Sequence, residues 1–361
     1  MKVNFFGPLG PTGYGIFTRY LTVAMAKQNI DVAVFPIYGG NIAEPDVMQL
    51  VNKVNDPTRL NVEIGIKLAI ANPYDVLSFH AKKRIYYTML EVDKIPEIWV
   101  KSLNTCDQVW TPSHWGKKVF EKSGVTKPVY VVPGGVDLNI FNPFRVPILP
   151  ETDKFRFLAV GKWEIRKGYD ILCKAFAEEF SKNEKVELIL AAQSAKLFVK
   201  NFNIFEELFQ LRLPSNRSTF SVIDFLPSYK DMGRLYTSVD CFVLPTRGEG
   251  WNLPLIEAMA CGLPCIVTNW SGHTEYVNEK NCILLNDFKI EPAKHPKQIY
   301  SQYLEQGNWA EPSIKELKAK MRYAYDNQEE IKKIGKKAAN DVKKWTWDES
   351  AKKAKKVLKK L

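Results

Sequence analysis

Two glutamates, Glu249 and Glu257, are separated by seven residues inside the stretch VDCFVLPTRGEGWNLPLIEAMACGLPCIVTNWSGHTEYV, residues 239–277. Such carboxylates could act as a general acid and base, provided they face each other across one bond, which spacing alone does not show. They could equally accept hydrogen bonds from sugar hydroxyls, since each carboxylate offers several lone pairs to a cis-diol. The bland alternative makes Glu249 a loop cap and Glu257 a solvated helix residue. Against it stand Gly248, Gly250, Pro254, Gly262 and Pro264, which leave a backbone that a ligand can approach closely. Three further groups could do chemistry. The glycine-rich run from Gly7 to Gly15 would place N–H groups at a helix N-terminus, which suits a phosphate, although such runs are as often tight turns. Lys162 and Lys167 frame a second turn and by default would be solvated. His80 follows a short apolar run.

The elements that must position these groups can be read around them. Residues 239–244 read as a strand, 245–250 as a loop, 254–261 as a helix with Pro254 in its first turn and Gly262 as its stop, and 263–268 as the next strand. A unit of this kind delivers its loop to the carboxyl edge of a parallel sheet, where α/β proteins bind ligands. Glu249 then sits in the loop and Glu257 in the early turns of the helix. At the start of the chain, residues 2–6 and 31–36 read as strands about a helix with Phe17, Tyr20, Leu21, Ala24 and Met25 on one face. The pattern is not a dinucleotide fingerprint, because Thr18 stands where a third glycine belongs and no acidic residue ends the second strand. Residues 75–79 read as a strand with His80 at its carboxyl end, followed by strands at 84–90 and 108–111 and a helix capped by Ser113. Pro143, Pro147 and Pro150 read as a stiffened linker. Residues 155–160 then open a second α/β series, whose first turn runs from Gly161 to Gly168. The fold class expected is α/β, as two Rossmann-like halves in tandem.

The string from Glu249 through Glu257 to Ala-Met-Ala-Cys-Gly-Leu-Pro264 resembles the E-x7-E signature of the retaining glycosyltransferases with the two-domain GT-B fold, in particular glycosyltransferase family 4. Residues 133–141, PGGVDLNIF, also resemble that family, where the segment ends the first domain. The resemblance implies two Rossmann-like domains facing each other across a cleft. It implies residues 1–145 as the acceptor-side domain, 151–335 as the nucleotide-sugar-binding domain, and 336–361 as a basic helix crossing back to the first. It implies that His80 lies near the transferred sugar and that Gly13, Tyr14 and Gly15 face the donor diphosphate and acceptor. Lys162 and Lys167 would hold the diphosphate, the former without the two-pronged grip an arginine would offer. Glu249, with the N–H groups of Gly250, Trp251, Asn252 and Leu253, would orient the sugar hydroxyls, while Glu257 accepts the ribose hydroxyls. Phe225 to Pro227 would border the nucleobase. Many relatives have glycine where Asn252 stands, so its side chain is expected to alter the hydroxyl pattern accepted.

Composition narrows the alternatives. The chain has 361 residues, 45% of them hydrophobic, enough for two sizeable cores. No 18-residue apolar run is present, and the start lacks the apolar length of a signal peptide. The six cysteines are dispersed, without C-x2-C or a histidine–cysteine cluster, so neither zinc nor a disulfide framework is expected and a reducing cytoplasm fits best. The net charge of +11 belongs to the tail: residues 332–361 hold twelve lysines against Asp341, Asp348 and Glu349. That tail reads as an amphipathic helix, either docked with a solvated face or attracted to an anionic membrane or acidic acceptor. No nucleic-acid partner is expected. No D-x-D sequence is present to hold a cation on a diphosphate, so neither metal nor cofactor is expected.

The expected activity is therefore metal-independent transfer of a hexose, with retention, from a UDP- or GDP-sugar to a hydroxyl of a glycan or lipid-linked acceptor. The competing reading is a non-catalytic glycan- or polyanion-binding protein of the same fold. A phosphorylase would need a pyridoxal-binding lysine that no motif marks, and a sugar-nucleotide epimerase would lack the string at 249–264.

Overall fold

Strand β1 (Lys2–Pro8) encloses Val3 and Phe5 completely and Asn4 nearly so, as expected of a parallel strand covered on both faces. Helix α1 (Gly13–Lys27) follows, then β2 (Asp31–Ile37), α2 (Pro45–Asn52), β3 (Ile64–Leu68), α3 (Pro73–Leu77), β4 (Lys83–Tyr87), α4 (Glu97–Leu103), β5 (Gln108–Thr111), α5 (His114–Lys122) and β6 (Val129–Val131). The strands form one parallel sheet in the order β2-β1-β3-β4-β5-β6. The computed structural model describes residues 1–38, 44–70, 73–192, 201–223, 226, 228–294 and 307–361.

A second series begins with β7 (Phe155–Val160), α6 (Tyr169–Glu179), β8 (Val186–Ala191), α7 (Ile204–Gln210), β9 (Thr219–Val222), α8 (Asp231–Tyr236), β10 (Cys241–Leu244), α9 (Leu253–Ala260), β11 (Cys265–Thr268) and β12 (Ile283–Leu285). Its parallel sheet runs β12-β11-β10-β7-β8-β9. A small antiparallel pair, β13 (Phe288–Pro292) and β14 (Asn308–Pro312), precedes α10 (Ile314–Asp326) and α11 (Gln328–Asp341). Ser113, Ser313 and Thr346 each cap the helix that follows by accepting a backbone N–H three residues on.

The chain divides into two units: residues 1–135 with 344–361, and residues 136–343. Two boundaries differ from those expected. The prolines at 143, 147 and 150 lie inside the second unit rather than between the units; the backbone at Ile140 presses on Gly233, where an added Cβ would lie 2.1 Å from the Ile140 oxygen. The lysine-rich tail is not one helix from 336 on. Its first lysines belong to α11 in the second unit, and a break at 342–346 precedes α12 (Trp347–Leu358) in the first. Helix α12 buries Trp347, Ala351, Ala354 and Leu358. The Trp347 ring lies edge-on to Phe17, 5.0 Å between centroids, and stacks on Tyr20 of α1 at 5.8 Å. The lysines on the far face, Lys352, Lys353 and Lys356, are exposed.

Among the described residues no helix is long and apolar enough to cross a membrane. All six cysteines are buried and free.

Gly13, Tyr14 and Gly15 form the first turn of α1 rather than a loop before it. Thr12 is the N-cap, its Oγ1 accepting from the Gly15 N–H at 3.1 Å. Backbone of the preceding turn lies directly on Gly15: an added Cβ would stand 1.9 Å from the Gly10 oxygen, whereas one at Gly13 would meet nothing within 4 Å. Gly15→Ala is therefore expected to destabilise the protein by about 1–3 kcal/mol, and Gly13→Ala by less than about 0.5 kcal/mol, read as shifts in the urea unfolding midpoint.

Candidate functional site

In the second unit the chain leaves β7 to one side, through β8 and β9, and returns to the other side through β10, so strand order reverses between β7 and β10. Ligands of open α/β sheets bind outside the carboxyl ends of the strands at such a reversal. The loops that follow these two strands are 161–168, with Lys162 and Lys167, and 245–252, with Glu249. Sheet topology thus brings together residues more than eighty positions apart.

They meet directly. Lys167 Nζ donates to Glu249 Oε1 at 2.7 Å, and Arg166 lies 3.2 Å from Glu249 Oε2. Arg166 also donates to the Gly248 carbonyl at 2.7 Å and to Glu164 Oε1 at 2.6 Å; Lys162 reaches Glu164 Oε2 at 2.9 Å. Three cations and two carboxylates leave one positive charge in excess. Burial opposes ionisation of both acids, yet the neighbouring cations prevail. Lys167 and Arg166 hold Glu249 below the usual carboxylate range, and Arg166 and Lys162 bring Glu164 down to about 2. Loop 161–168 packs on the start of loop 245–252: a Cβ at Gly168 would lie 2.1 Å from the Pro245 oxygen, and Gly168 has φ +75°. Arg247 fastens the pair, donating to both oxygens of Asp170 at 2.8 Å and to Glu311 at 2.7 Å.

The segment after β11 clamps loop 245–252 from below. Ser271 Oγ accepts the Glu249 N–H at 2.8 Å, and Gly272 N–H donates to the Glu249 carbonyl at 2.8 Å. Tyr276 donates its hydroxyl to the carbonyls of Trp251 at 2.7 Å and Asn252 at 2.9 Å. The Trp251 ring packs on that of Tyr276, 4.9 Å between centroids. These bonds fix the backbone of Gly250, Trp251, Asn252 and Leu253 where it enters α9, a helix N-terminus that favours anions. His273, completely enclosed, bonds the Thr268 carbonyl through Nε2 at 2.6 Å, and burial lowers its pKa, so the ring is neutral.

Glu257 is in the early part of the helix as expected, but it is not solvated. It lies in the second turn of α9, buried, accepting hydrogen bonds from the Tyr229 hydroxyl at Oε1 and from Tyr236 at Oε2, 3.1 Å. Burial pushes its pKa up to about 8 despite these two donors.

His80 does not stand at the carboxyl end of a strand. Residues 73–77 are helix α3, and the strand of this region is the earlier β3. His80 is exposed, three residues before β4, and Lys83 N–H bonds the Glu63 carbonyl, which places His80 at the amino edge of the sheet, opposite the ligand-binding edge. Helix α3 ends at Leu77, and the residues expected to extend as a strand instead reach the buried cation of β3: Lys67 Nζ is 3.1 Å from Asp75 and 2.6 Å from Ser78. After β4, the carboxyl edge presents Thr88, whose enclosed Oγ1 has no hydrogen-bond partner among the described residues. Of the residues expected to border a nucleobase, Phe225 and Pro227 lie outside the described residues.

Sequence reasoning missed Glu164, Arg166, Arg247, Tyr229 and Tyr276. The first two stand between Lys162 and Lys167, and three cations around one glutamate within six residues is the signal the sequence carries. The tyrosines carried none.

A family model described as glycosyl transferases group 1 matches residues 154–302, the span that carries both loops. Spore coat protein SA of Bacillus subtilis is 32% identical over 326 residues, covering 78% of this chain and 82% of that protein. The chain belongs to the group 1 glycosyl transferases. Another relative of this group 1 chain, the D-inositol 3-phosphate glycosyltransferase of Arthrobacter sp., is 26% identical over 49% of the chain and 42% of its own length. Against proteins of that name the chain spans about half their length, 42% and 54% in two species. A solved sucrose-phosphate synthase from Thermosynechococcus elongatus superposes over 100% of the chain and 98% of its own with a TM-score of 0.69 at 16% identity. Anabaena HepE in complex with UDP-glucose does so over 100% of both chains at 0.66 and 16%. At such identities the likeness shows the fold: GT-B, with two Rossmann-like domains.

Because Glu257 is protonated up to about pH 8 in the folded protein and only to about 4.5 when unfolded, the folded state holds the extra proton between these values and stability falls as pH rises through that window. Glu257→Gln, neutral throughout, is expected to have a melting temperature that exceeds wild type by a margin growing from pH 5 to pH 8.5, measured by differential scanning fluorimetry.

Proposed function

We propose that this group 1 glycosyl transferase moves a hexose, with retention of configuration, from a UDP- or GDP-sugar to a hydroxyl of a glycan or lipid-linked acceptor. The observation that carries the reading is the Lys167–Glu249 pair at the strand-order reversal of the second unit, with Lys162 and Arg166 beside it and the N-terminus of α9 after it. The complex of Anabaena HepE with UDP-glucose supports a uridine donor.

In this reading the donor exchanges partners with the pair. The diphosphate takes Lys167, Lys162 and Arg166, and the Glu249 carboxylate, released from Lys167, accepts hydroxyls of the sugar alongside the N–H groups of Gly250 to Leu253. Cations fixed in a buried loop stabilise the charge that builds on the departing diphosphate, without reorganising at the moment of reaction. Arg166 supplies the two-pronged grip that Lys162 lacks. Glu257 receives the ribose hydroxyls when Tyr229 yields its place on Oε1. Gly13, Tyr14 and Gly15 offer the N-terminus of α1 to an anionic group of donor or acceptor. His80, at the amino edge of its sheet, takes no part.

Metal independence belongs to the same proposal, with the cations of loop 161–168 carrying the neutralisation. No cofactor is required beyond the donor, which is substrate. A cytoplasmic location suits six buried free thiols. With its apolar face spent on α1, α12 has only its lysines to offer an anionic membrane, so contact there would be electrostatic and lost at high salt.

The test is a screen of UDP- and GDP-sugars in the presence of chelator, reading thermal stabilisation and slow release of free nucleotide. One sugar nucleotide is expected to stabilise the protein and be turned over, with Lys167→Ala and Glu249→Gln each lowering turnover by about 10²–10³ and His80→Ala leaving it within a factor of two. Stabilisation by polyanions but by no sugar nucleotide, with or without divalent metal, would overturn the enzyme in favour of a non-catalytic glycan- or polyanion-binding protein.

A further inference from the structure

Tyr38 stands immediately beyond β2, at the carboxyl edge of the first sheet, with its backbone in the left-handed region at φ +63° and its side chain 73% exposed. A bulky residue pays strain for that conformation, where glycine alone is at ease, and a ring left in water recovers none of it by burial. The ring is nevertheless held from its far end: the hydroxyl donates to Asp75 Oδ1 in α3. Helix α3 follows β3, and β1 lies between β2 and β3, so this bond spans the end of the intervening strand. Asp75 is tethered in turn. The same oxygen lies 3.1 Å from Lys67 Nζ, which also donates to Ser78 Oγ at 2.6 Å, and the Ser78 hydroxyl donates to the Asp75 carbonyl at 3.2 Å. Lys67 issues from the interior of β3 and is 4% exposed. A lysine inside a parallel strand is costly unless a carboxylate meets it. A buried cation thus fixes a carboxylate, and the carboxylate fixes an aromatic ring that faces solvent.

Strain kept at an exposed residue by a chain of buried partners points to a use for the residue. With its hydroxyl engaged by Asp75, Tyr38 has its ring face to offer a ligand, and that face is electron-rich. The charges behind it cancel, Asp75 against Lys67, so the position calls for neither a phosphate nor an ammonium. A neutral pyranose matches it. The axial C–H groups of the sugar form an apolar face that carries the positive ends of their dipoles, and stacking leaves the hydroxyls on the rim free to react. The same edge carries further apolar surface: Tyr74, next to Asp75, is 85% exposed, and Ile70, whose carbonyl accepts the Tyr86 hydroxyl, is 38% exposed. We propose that Tyr38 is the platform on which a neutral pyranose of the acceptor glycan stacks. The inference rests on the glycan acceptor proposed above and goes beyond it by giving the class of that acceptor, an uncharged sugar, and the side chain that receives it.

The test is saturation-transfer NMR titration of wild type, Tyr38→Gly, Tyr38→Leu and Tyr38→Phe with maltotriose, cellotriose, mannotriose and chitotriose. Glucose 6-phosphate, and co-sedimentation with phosphatidylglycerol vesicles, serve as anionic comparisons, with melting temperatures alongside. Wild type is expected to bind at least one of the neutral trisaccharides, and Tyr38→Gly, at ease in the left-handed region, to melt close to wild type and bind it about tenfold more weakly. Tyr38→Leu, which keeps bulk and loses the aromatic face, should show the same drop and serves if the glycine variant fails to fold. Tyr38→Phe, which keeps the ring but not its bond to Asp75, should lose less than either. Wild type binding none of the trisaccharides, binding that Tyr38→Gly leaves unaltered, or a loss confined to glucose 6-phosphate or the vesicles would overturn the assignment. The donor site is read separately on the same samples, by thermal stabilisation with UDP- and GDP-sugars: failure there, with trisaccharides still bound through Tyr38, removes the donor and keeps the glycan platform.

Discussion

A buried carboxylate can stay charged only where cations reach it, and the second unit is built around one such arrangement. Glu249 has almost no contact with solvent and is ionised because Lys167 and Arg166 arrive from the loop after β7. Removing either side of a buried pair strands the other, at a cost of about 3–5 kcal/mol, so both loops are bound to hold their positions. The strand order brings them side by side; Arg247 with Asp170 and Glu311 fastens them; Ser271, Gly272 and Tyr276 hold the backbone of residues 249–252 beneath. Replacing the network with apolar residues would cost the fold little. In the proposed function this network, where strand order reverses, is the place at which one charged partner is exchanged for another.

The same reasoning separates Glu249 from Glu257, although one spacing links them in sequence. Glu249 faces cations and is kept below the usual range, whereas Glu257 faces two tyrosine hydroxyls in a buried pocket and is raised to about 8. One is an anion paired with two cations, the other a neutral acid at physiological pH whose oxygens are already engaged. Two identical side chains on one motif thus have different chemistry because one sits at the carboxyl edge of the sheet and the other a full turn into the helix.

Much of this was legible in the sequence, and the failures have physical causes. The unit from β10 to β11 was readable because its punctuation is local: Pro254 in the first turn, Gly262 with φ +79° as the stop, short apolar runs on either side. The strand at 155–160 was readable for the same reason. His80 was misplaced because residues 75–79 have the apolar content of a strand, while the real strand, β3, hides a glycine and a lysine in its interior. Only the pairing of Lys67 with Asp75 and Ser78, a tertiary fact, makes a buried lysine acceptable there. Composition placed the linker at the prolines, but Gly233 takes the backbone at 140 into the second unit. Arg166 was passed over because a charged loop residue is solvated by default, and nothing local distinguishes one that will be buried between two glutamates.

The central claim is that the Lys167–Glu249 pair is the donor site and parts when the donor binds. A crystal structure of the protein with UDP-glucose tests it most directly. The account predicts that the 2.7 Å contact between Lys167 Nζ and Glu249 Oε1 opens, with the ammonium on a diphosphate oxygen and the carboxylate on a hydroxyl of the sugar. UDP-glucose bound elsewhere, with the pair intact, would contradict it.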